Sequence, residues 1–169
     1  MAIKLRTPLS LEDILKLKAG DIVYLSGTIY TARDLAHKRF LSQGFPFEPE
    51  GAVIYHCGPL VKDGNIISAG PTTSARMNPY LEFLFSNGIR GIIGKGGMDA
   101  KKFRGKAVYF AFPGGAGSLA AKHLKVKRVY WEDLGMADAV WELEVKDLPL
   151  LVAIDVNGNS LYEGAHREL

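Results

Sequence analysis

The sequence predicts a mixed α/β domain with a mainly parallel central sheet and an antiparallel ribbon towards the C-terminal end. Two observations support this class. Between residues 21 and 131, apolar runs rich in β-branched residues alternate with segments of helical character, and glycine-rich turns separate them. Beyond residue 139 the pattern changes to apolar–polar alternation, followed by a hairpin turn signal at Asn157-Gly158. We expect residues 1–169 to form a single domain.

Strands are predicted where short runs of valine, isoleucine and aromatic residues are bounded by turn residues. These runs cover residues 21–29, 52–56, 65–68, 89–93, 107–112, 126–131, 139–145 and 150–156. The last run is expected to pair with residues 160–162 across the Asn157-Gly158 turn.

Helices are predicted between these strands. Ser10 can cap a short first helix, and Gly20 follows it at a position suited to a left-handed residue. Thr31 is expected to cap a helix over residues 31–40, with Asp34 three residues later as in a capping box. Pro79 is expected in the first turn of a helix that ends near residue 86. Shorter helices are predicted after residue 97 and from residue 118.

Composition excludes several classes of protein. The net charge is +3 and the densest basic cluster, over residues 101–106, is short, which does not favour a nucleic-acid-binding protein. Cys57 is the single cysteine, so an internal disulfide is excluded, as is an iron–sulfur cluster ligated by the cysteines of this chain alone. The N-terminus lacks the apolar run of a secretory signal and no segment approaches the ~20 apolar residues of a membrane span. These features predict a cytoplasmic location.

Three glycine- or hydroxyl-rich turns after predicted strands carry a cation. Arg33 lies in the segment 27–33, Arg76 in the segment 70–76, and Lys95 in the segment 94–97. In open α/β sheets, ligands bind beyond the carboxyl ends of the strands. A cation in the first turn of a helix opposes the helix dipole, which favours a functional explanation over a structural one. Any one of these side chains alone could instead reach a surface carboxylate; together they suggest a ligand with two carboxylates.

Other candidate motifs are weaker. Residues 112–118, Phe-Pro-Gly-Gly-Ala-Gly-Ser, resemble a phosphate-binding loop but lack the lysine of GxxxxGK[ST] and the spacing of GxGxxG, so a tight strand-to-helix turn is the favoured interpretation. The four histidines show no paired metal-ligand spacing. No metal site is predicted in this chain.

Six segments together resemble one enzyme family. They are GTIYTARDLAHKR (27–39), YHCGPLVK (55–62), AGPTTSARM (69–77), GIIGKGGM (91–98), FPGGAGSLAA (112–121) and EDLGMADAVWELEV (132–145). This set resembles the β-subunit, or C-terminal domain, of class I fumarate hydratases and L-tartrate dehydratases. The first and third segments are the specific ones.

The resemblance implies a swivelling β/β/α domain that closes over a dicarboxylate at an interface with an α-subunit. That partner would hold a 4Fe-4S cluster, and the likeness implies an α2β2 heterotetramer. The family's substrate-binding residues match Arg33, Arg76 and Lys95. Its threonine pair matches Thr72 and Thr73 as catalytic residues, with Thr72 the candidate for proton transfer. We expect the partner to supply a carboxylate that polarises Thr72, and to dock on an apolar face around residues 70–77 and 94–98.

The resemblance leaves the substrate open. The first hypothesis is reversible hydration of fumarate to L-malate by a hydro-lyase that is active only with its partner. The close alternative is dehydration of L-tartrate to oxaloacetate, because the same cations would bind either diacid. A hypothesis of a different class is a non-catalytic anion-binding or scaffold domain.

Overall fold

The computed structural model describes residues 3–113 and 121–162. Within these ranges the strands are β1 (Ile3–Arg6), β2 (Ile22–Thr31), β3 (Val53–Tyr55), β4 (Leu60–Lys62), β5 (Asn65–Ser68), β6 (Gly91–Gly94), β7 (Val108–Ala111), β8 (Leu124–Tyr130) and β9 (Val140–Ile154). The α-helices are α1 (Leu11–Leu15), α2 (Asp34–Gln43) and α3 (Leu81–Ser86), and 3-10 helices cover Ala75–Tyr80, Ala100–Phe103 and Glu132–Leu134. The mixed α/β class is confirmed, with more strand than helix. The glycine-rich turn at 112–118 and the helix predicted from residue 118 lie largely outside the described residues.

The main sheet closes on itself. Strands β2, β3, β6 and β7 are parallel neighbours in that order. The long strand β9 runs antiparallel to both β7 and β2, which completes a ring of five strands. Outside this ring, β1 is parallel to β2, and β8 is antiparallel to β9. The predicted parallel core is confirmed. The antiparallel part of the sheet is formed by β9 with β2, β7 and β8, whereas the ribbon expected from residues 150–156 and 160–162 is reduced to an isolated bridge.

Side chains along the parallel strands alternate between two apolar clusters. Val53 and Tyr55 belong to a cluster to which all five ring strands contribute. Ile54 and Ile92 belong to a second cluster that contains the buried faces of α2 and α3. All of these side chains are fully buried. Strands buried on both faces are held firmly, so the loops that follow them start from fixed positions.

The start of α2 differs from the prediction. Thr31 is the last residue of β2 rather than a helix cap, and α2 begins at Asp34 with Arg33 at its N-cap and no side-chain capping bond. The Thr31 hydroxyl instead accepts a hydrogen bond from the Trp141 N–H at 3.0 Å. The Thr31 hydroxyl oxygen is thus bonded to strand β9 and does not cap α2. By contrast, the Ser10–Asp13 capping box of α1 is present with both hydrogen bonds.

The C-terminal hairpin is smaller than predicted. The two strands expected over 139–145 and 150–156 are one continuous strand, β9. Ser160 forms only an isolated bridge with Ile154. The Asp155 carboxylate accepts the N–H groups of Asn157 and Asn159, each at 3.0 Å, which folds this segment into a tight turn. Strands β1 and β4 were not predicted. In the described part of the chain, no helix has the length and apolar character needed to cross a membrane.

Candidate active site

Three parallel strands end together and set the position of the candidate residues. Thr31 at the end of β2 pairs with Tyr55 at the end of β3, and Tyr55 pairs with Ile93 in β6. The segments that follow these strands therefore leave the sheet side by side. In α/β proteins, ligand sites lie at the carboxyl ends of the parallel strands, in closed barrels as in open sheets.

The segment between β5 and α3 lies between the segment that follows β3 and the segment that follows β6. The Thr72 N–H donates to the His56 carbonyl at 2.8 Å, directly after β3. Thr73 forms an isolated parallel bridge with Lys95, and the Ser74 N–H donates to the Lys95 carbonyl at 3.0 Å. Backbone hydrogen bonds thus hold the two threonines between the end of β3 and the lysine after β6.

Arg76 has two polar neighbours. Its Nη2 donates to Asp34 Oδ2 at 3.1 Å, and its Nε lies 3.3 Å from both carboxylate oxygens. The same Nη2 lies 3.4 Å from Thr72 Oγ1. The hydrogen bond from Arg76 holds the pKa of Asp34 below its ordinary value, so Asp34 is ionised at neutral pH. The side chain of Arg76 is 46% exposed, which leaves part of the guanidinium open to a ligand.

Arg33 makes one weak ion pair and is partly exposed. Its Nε lies 3.8 Å from Asp138 Oδ1, and this Nε is buried without a hydrogen-bond partner among the described residues. A Cβ at Gly58 would lie 2.8 Å from both Cδ and Nη1 of Arg33, so a larger residue at this position would require the arginine to shift. The side chain is 34% exposed. A weak ion pair and partial exposure suit a residue that binds an anion.

Lys95 is exposed at the mouth of a shallow cavity of about 240 Å³ whose lining includes Phe112 and Tyr162. Among the described residues, Lys95 makes no ion pair within 4.0 Å. The chain of contacts from Arg33 to Lys95 gathers all five sequence-predicted residues at one edge of the sheet. Their roles in substrate binding and catalysis remain predictions.

The residues that the structure describes do not fit a metal centre. Within residues 3–113 and 121–162, no group of three or more histidine, cysteine, aspartate or glutamate side chains could hold a metal ion. Cys57 is fully buried, and burial raises the pKa of its thiol to about 12, so it is a neutral thiol at neutral pH. What this edge offers is cations and hydroxyl groups, which suit an oxyanion.

Comparison with known proteins identifies the family. The sequence model described as Fumarase C-terminus matches residues 1–165. The chain belongs to this family. Similar proteins include "Putative L(+)-tartrate dehydratase subunit beta" of Methanocaldococcus jannaschii, 45% identical over 95% of this chain and 91% of that protein. L(+)-tartrate dehydratase subunit beta of Escherichia coli strain K12 is 39% identical over 93% of this chain and 85% of that protein. "Putative fumarate hydratase class I" of Geobacillus stearothermophilus is 40% identical, and the match covers 95% of this chain but 34% of that protein.

Sequence reasoning missed several residues that lie at this candidate site. Asp34, Gly58 and Ser74 each stand beside a residue that was singled out, within the same motif, but nothing in the sequence indicated what they contact. His56 was considered only as one of four histidines without paired metal-ligand spacing. Its position directly after a buried strand, next to Cys57-Gly58, was the available signal.

Two expectations about this Fumarase C-terminus chain were wrong. The loops 70–77 and 94–98 do not form an apolar face: their exposed residues are polar, charged or small, namely Thr73, Ala75, Arg76, Lys95 and Gly97. These loops are built around hydrogen bonds, which polar residues supply. Pro79 lies inside the 3-10 helix Ala75–Tyr80 rather than in the first turn of α3, because the 3-10 helix runs directly into α3.

Proposed function

We propose that this chain is the β-subunit of a hydro-lyase acting on a four-carbon dicarboxylate. The first reaction is reversible hydration of fumarate to L-malate. The second candidate is dehydration of L-tartrate to oxaloacetate, which is favoured by the two relatives of nearly full length that are named tartrate dehydratase subunit beta. The single observation that carries the proposal is the contact of Arg76 with Thr72, beside Arg33 and Lys95 at one edge of the sheet.

The cations account for binding of a diacid. Arg33 and Arg76 each present a guanidinium whose planar fork matches a carboxylate, and Lys95 adds a point charge on the other side of the threonines. Asp34 holds Arg76 from one side, so the orientation of the guanidinium is set before the substrate arrives. Fixing these donors in advance lowers the entropic cost of binding.

The threonine hydroxyls account for the proton step. Dehydration removes a proton from the carbon next to the one that loses hydroxide, and hydration returns it. We assign this transfer to Thr72 Oγ1, with Thr73 beside it. A threonine hydroxyl is a weak base, but a donor at Oγ1 stabilises the deprotonated form, and the Arg76 Nη2 is within 3.4 Å of that atom. A carboxylate from the partner subunit would complete the activation of Thr72.

The cofactor belongs to the partner in this proposal. The residues of this chain do not fit a 4Fe-4S cluster, since the one cysteine is a buried neutral thiol. We therefore assign the cluster to an α-subunit and derive no step through it. Relatives named subunit beta support the existence of such a partner, and we propose an α2β2 assembly in the cytoplasm. As a swivelling domain, this chain would close its cationic edge over the diacid.

The test is reconstitution. The chain should be co-expressed with a subunit of the same organism that carries three candidate cluster cysteines, purified without oxygen, and assayed on fumarate, L-malate and L-tartrate. We expect the complex to elute as α2β2 and to turn over one of these diacids, whereas the chain alone should be colourless, free of iron and inactive. Hydro-lyase activity of the chain alone would contradict the two-subunit proposal. Diacid binding without turnover in the complex would favour the anion-binding scaffold.

A further inference from the structure

A buried imidazole lies directly behind the candidate site. His56 and Ser74 are both fully buried, and His56 Nδ1 is 2.7 Å from Ser74 Oγ. Among the described residues, the second ring nitrogen of His56 has no hydrogen-bond partner. A buried polar ring with a single partner is costly, so that one hydrogen bond needs an explanation beyond packing.

The backbone of His56 connects two of the site's segments. Its N–H donates to the Ile93 carbonyl at 2.8 Å, at the end of β6, and its carbonyl accepts the Thr72 N–H at 2.8 Å. Ser74 connects the same segments from the other side. Its N–H donates to the Lys95 carbonyl at 3.0 Å, and its Oγ accepts the Lys95 N–H at 3.3 Å. The hydrogen bond between the two side chains thus closes a loop of contacts that contains Thr72 and Lys95.

The sequence keeps space for this arrangement. A Cβ at Gly94 would overlap Ser74 Oγ. The Ser74 hydroxyl can therefore contact the Lys95 N–H only if residue 94 is a glycine. The same device occurs once more in the described chain, remote from the candidate site along β2. There Thr7 Oγ1 lies over Gly27, where a Cβ would overlap it, and accepts the Thr28 N–H at 2.6 Å. This second case provides a matched control.

The imidazole is neutral in this position. Burial is the main cause that lowers the pKa of His56 well below its ordinary value, and electrostatic interactions with His37 and Arg76 lower it further. The ionised carboxylate nearest to Arg76 is that of Asp34, which forms an ion pair with Arg76. A neutral ring can orient the Ser74 hydroxyl without adding a third positive charge behind two arginines that must bind carboxylates.

We propose that His56 and Ser74 are positioning residues that fix the Thr72 hydroxyl relative to the Lys95 ammonium. The consequence for turnover rests on the proposed function. A hydroxyl that transfers a proton must be held within a fraction of an ångström of its productive position. Loss of the hydrogen bond should therefore affect the chemical step more than the binding of the diacid.

Four variants test this proposal. Ser74→Ala and His56→Leu remove the hydrogen bond, and Ser74→Ala covers the case in which His56→Leu does not fold. His56→Asn keeps a polar atom near the position of Nδ1. Thr7→Ala removes the matching hydroxyl over Gly27.

The first measurement is amide hydrogen exchange on the full chain without its partner. In Ser74→Ala and His56→Leu, the backbone N–H groups at positions 72 and 74 should exchange about tenfold faster than in wild type. In His56→Asn and Thr7→Ala, they should exchange at the wild-type rate. The second is steady-state kinetics of the complex. The first two variants should lower kcat by about 10- to 100-fold with KM changed less than about threefold, and His56→Asn should restore most of kcat.

Wild-type exchange in Ser74→Ala would overturn the proposal, as would wild-type kcat in a variant whose exchange is fast. Equal loss of kcat in Thr7→Ala would also overturn it, because the effect would then be one of general stability. A wild-type complex without activity on any of the three diacids would contradict the proposed function instead. In that case the exchange rates alone still decide whether the pair fixes the two segments.

Discussion

The buried histidine His37 predicts that the folded chain loses stability in mild acid. Its ring is fully buried, its Nδ1 donates to the Arg33 carbonyl at 2.8 Å, and its Nε2 has no partner among the described residues. Burial lowers the pKa of His37 from 6.5 to about 4. The folded state thus binds fewer protons than the unfolded state between these values. The full unfolding free energy is therefore present above the pKa of His37 in the unfolded chain. It decreases as the pH falls towards the pKa of His37 in the folded chain.

The size of the effect follows from that shift. Between about pH 7 and pH 5, one histidine with these two pKa values should cost about 2 kcal/mol of unfolding free energy. His56 adds to the slope of the wild-type chain, because its ring lies 5.4 Å from that of His37 and its pKa is lowered too. The variant His37→Leu should therefore lose about 2 kcal/mol less than wild type over the same interval.

Urea unfolding followed by circular dichroism at each pH measures this difference. His123→Gln is the control, since His123 is partly exposed and bonds to the Lys146 carbonyl at 2.8 Å. Carboxylates that titrate in the same interval are common to all three proteins and cancel in the comparison. The same pH dependence in His37→Leu and wild type would refute the argument from burial.

The remaining predictions concern kinetics of the reconstituted complex, each with a melting curve to show an intact fold. Arg76→Lys should lower kcat/KM substantially, and Arg76→Ala should cost roughly 30- to 1000-fold, because a desolvated charged contact is worth about 2–4 kcal/mol. Arg33→Ala and Lys95→Ala should fall in that range, whereas Lys101→Ala, on the exposed side of a neighbouring 3-10 helix, should be near neutral. Thr72→Val should lower kcat more than it raises KM, since proton transfer is expressed in the transition state. Wild-type kinetics in folded Arg33→Ala and Arg76→Ala would leave these arginines as surface residues.

Local pattern was enough to predict the parallel core. Strands β3, β6 and β7 are short apolar runs between turn residues, and the bounds of each agree with those of a predicted strand to within two residues. Strand β1 was missed because Ile-Lys-Leu-Arg is only four residues long and alternates with charged residues, a pattern that fits an edge strand or a loop equally well. Closure of the ring by β9 could not be predicted, since nothing local specifies which strand edges meet across more than a hundred residues.

The candidate site divides in the same way. The cations and the threonine pair could be singled out because they follow predicted strands, and that depends only on local order. Asp34 and Ser74 could not, because their importance comes from contacts with Arg76 and with the segment after β6. The expected cap at Thr31 failed for a related reason. Its hydroxyl accepts a hydrogen bond from Trp141 in β9, a neighbouring strand that is remote in sequence.

Closure of the ring has a consequence for synthesis of the protein on the ribosome. The pairing of Ile22 with Leu151 joins two strands that are more than a hundred residues apart along the chain. Until residue 154 has left the exit tunnel, the edge of β2 that β9 will cover is open to any other extended chain. Strand β7 also lacks one neighbour until then, because β9 pairs with both β2 and β7. Translational pauses between residues 100 and 150 should therefore favour aggregation, and chaperones that shield strand edges should improve the yield.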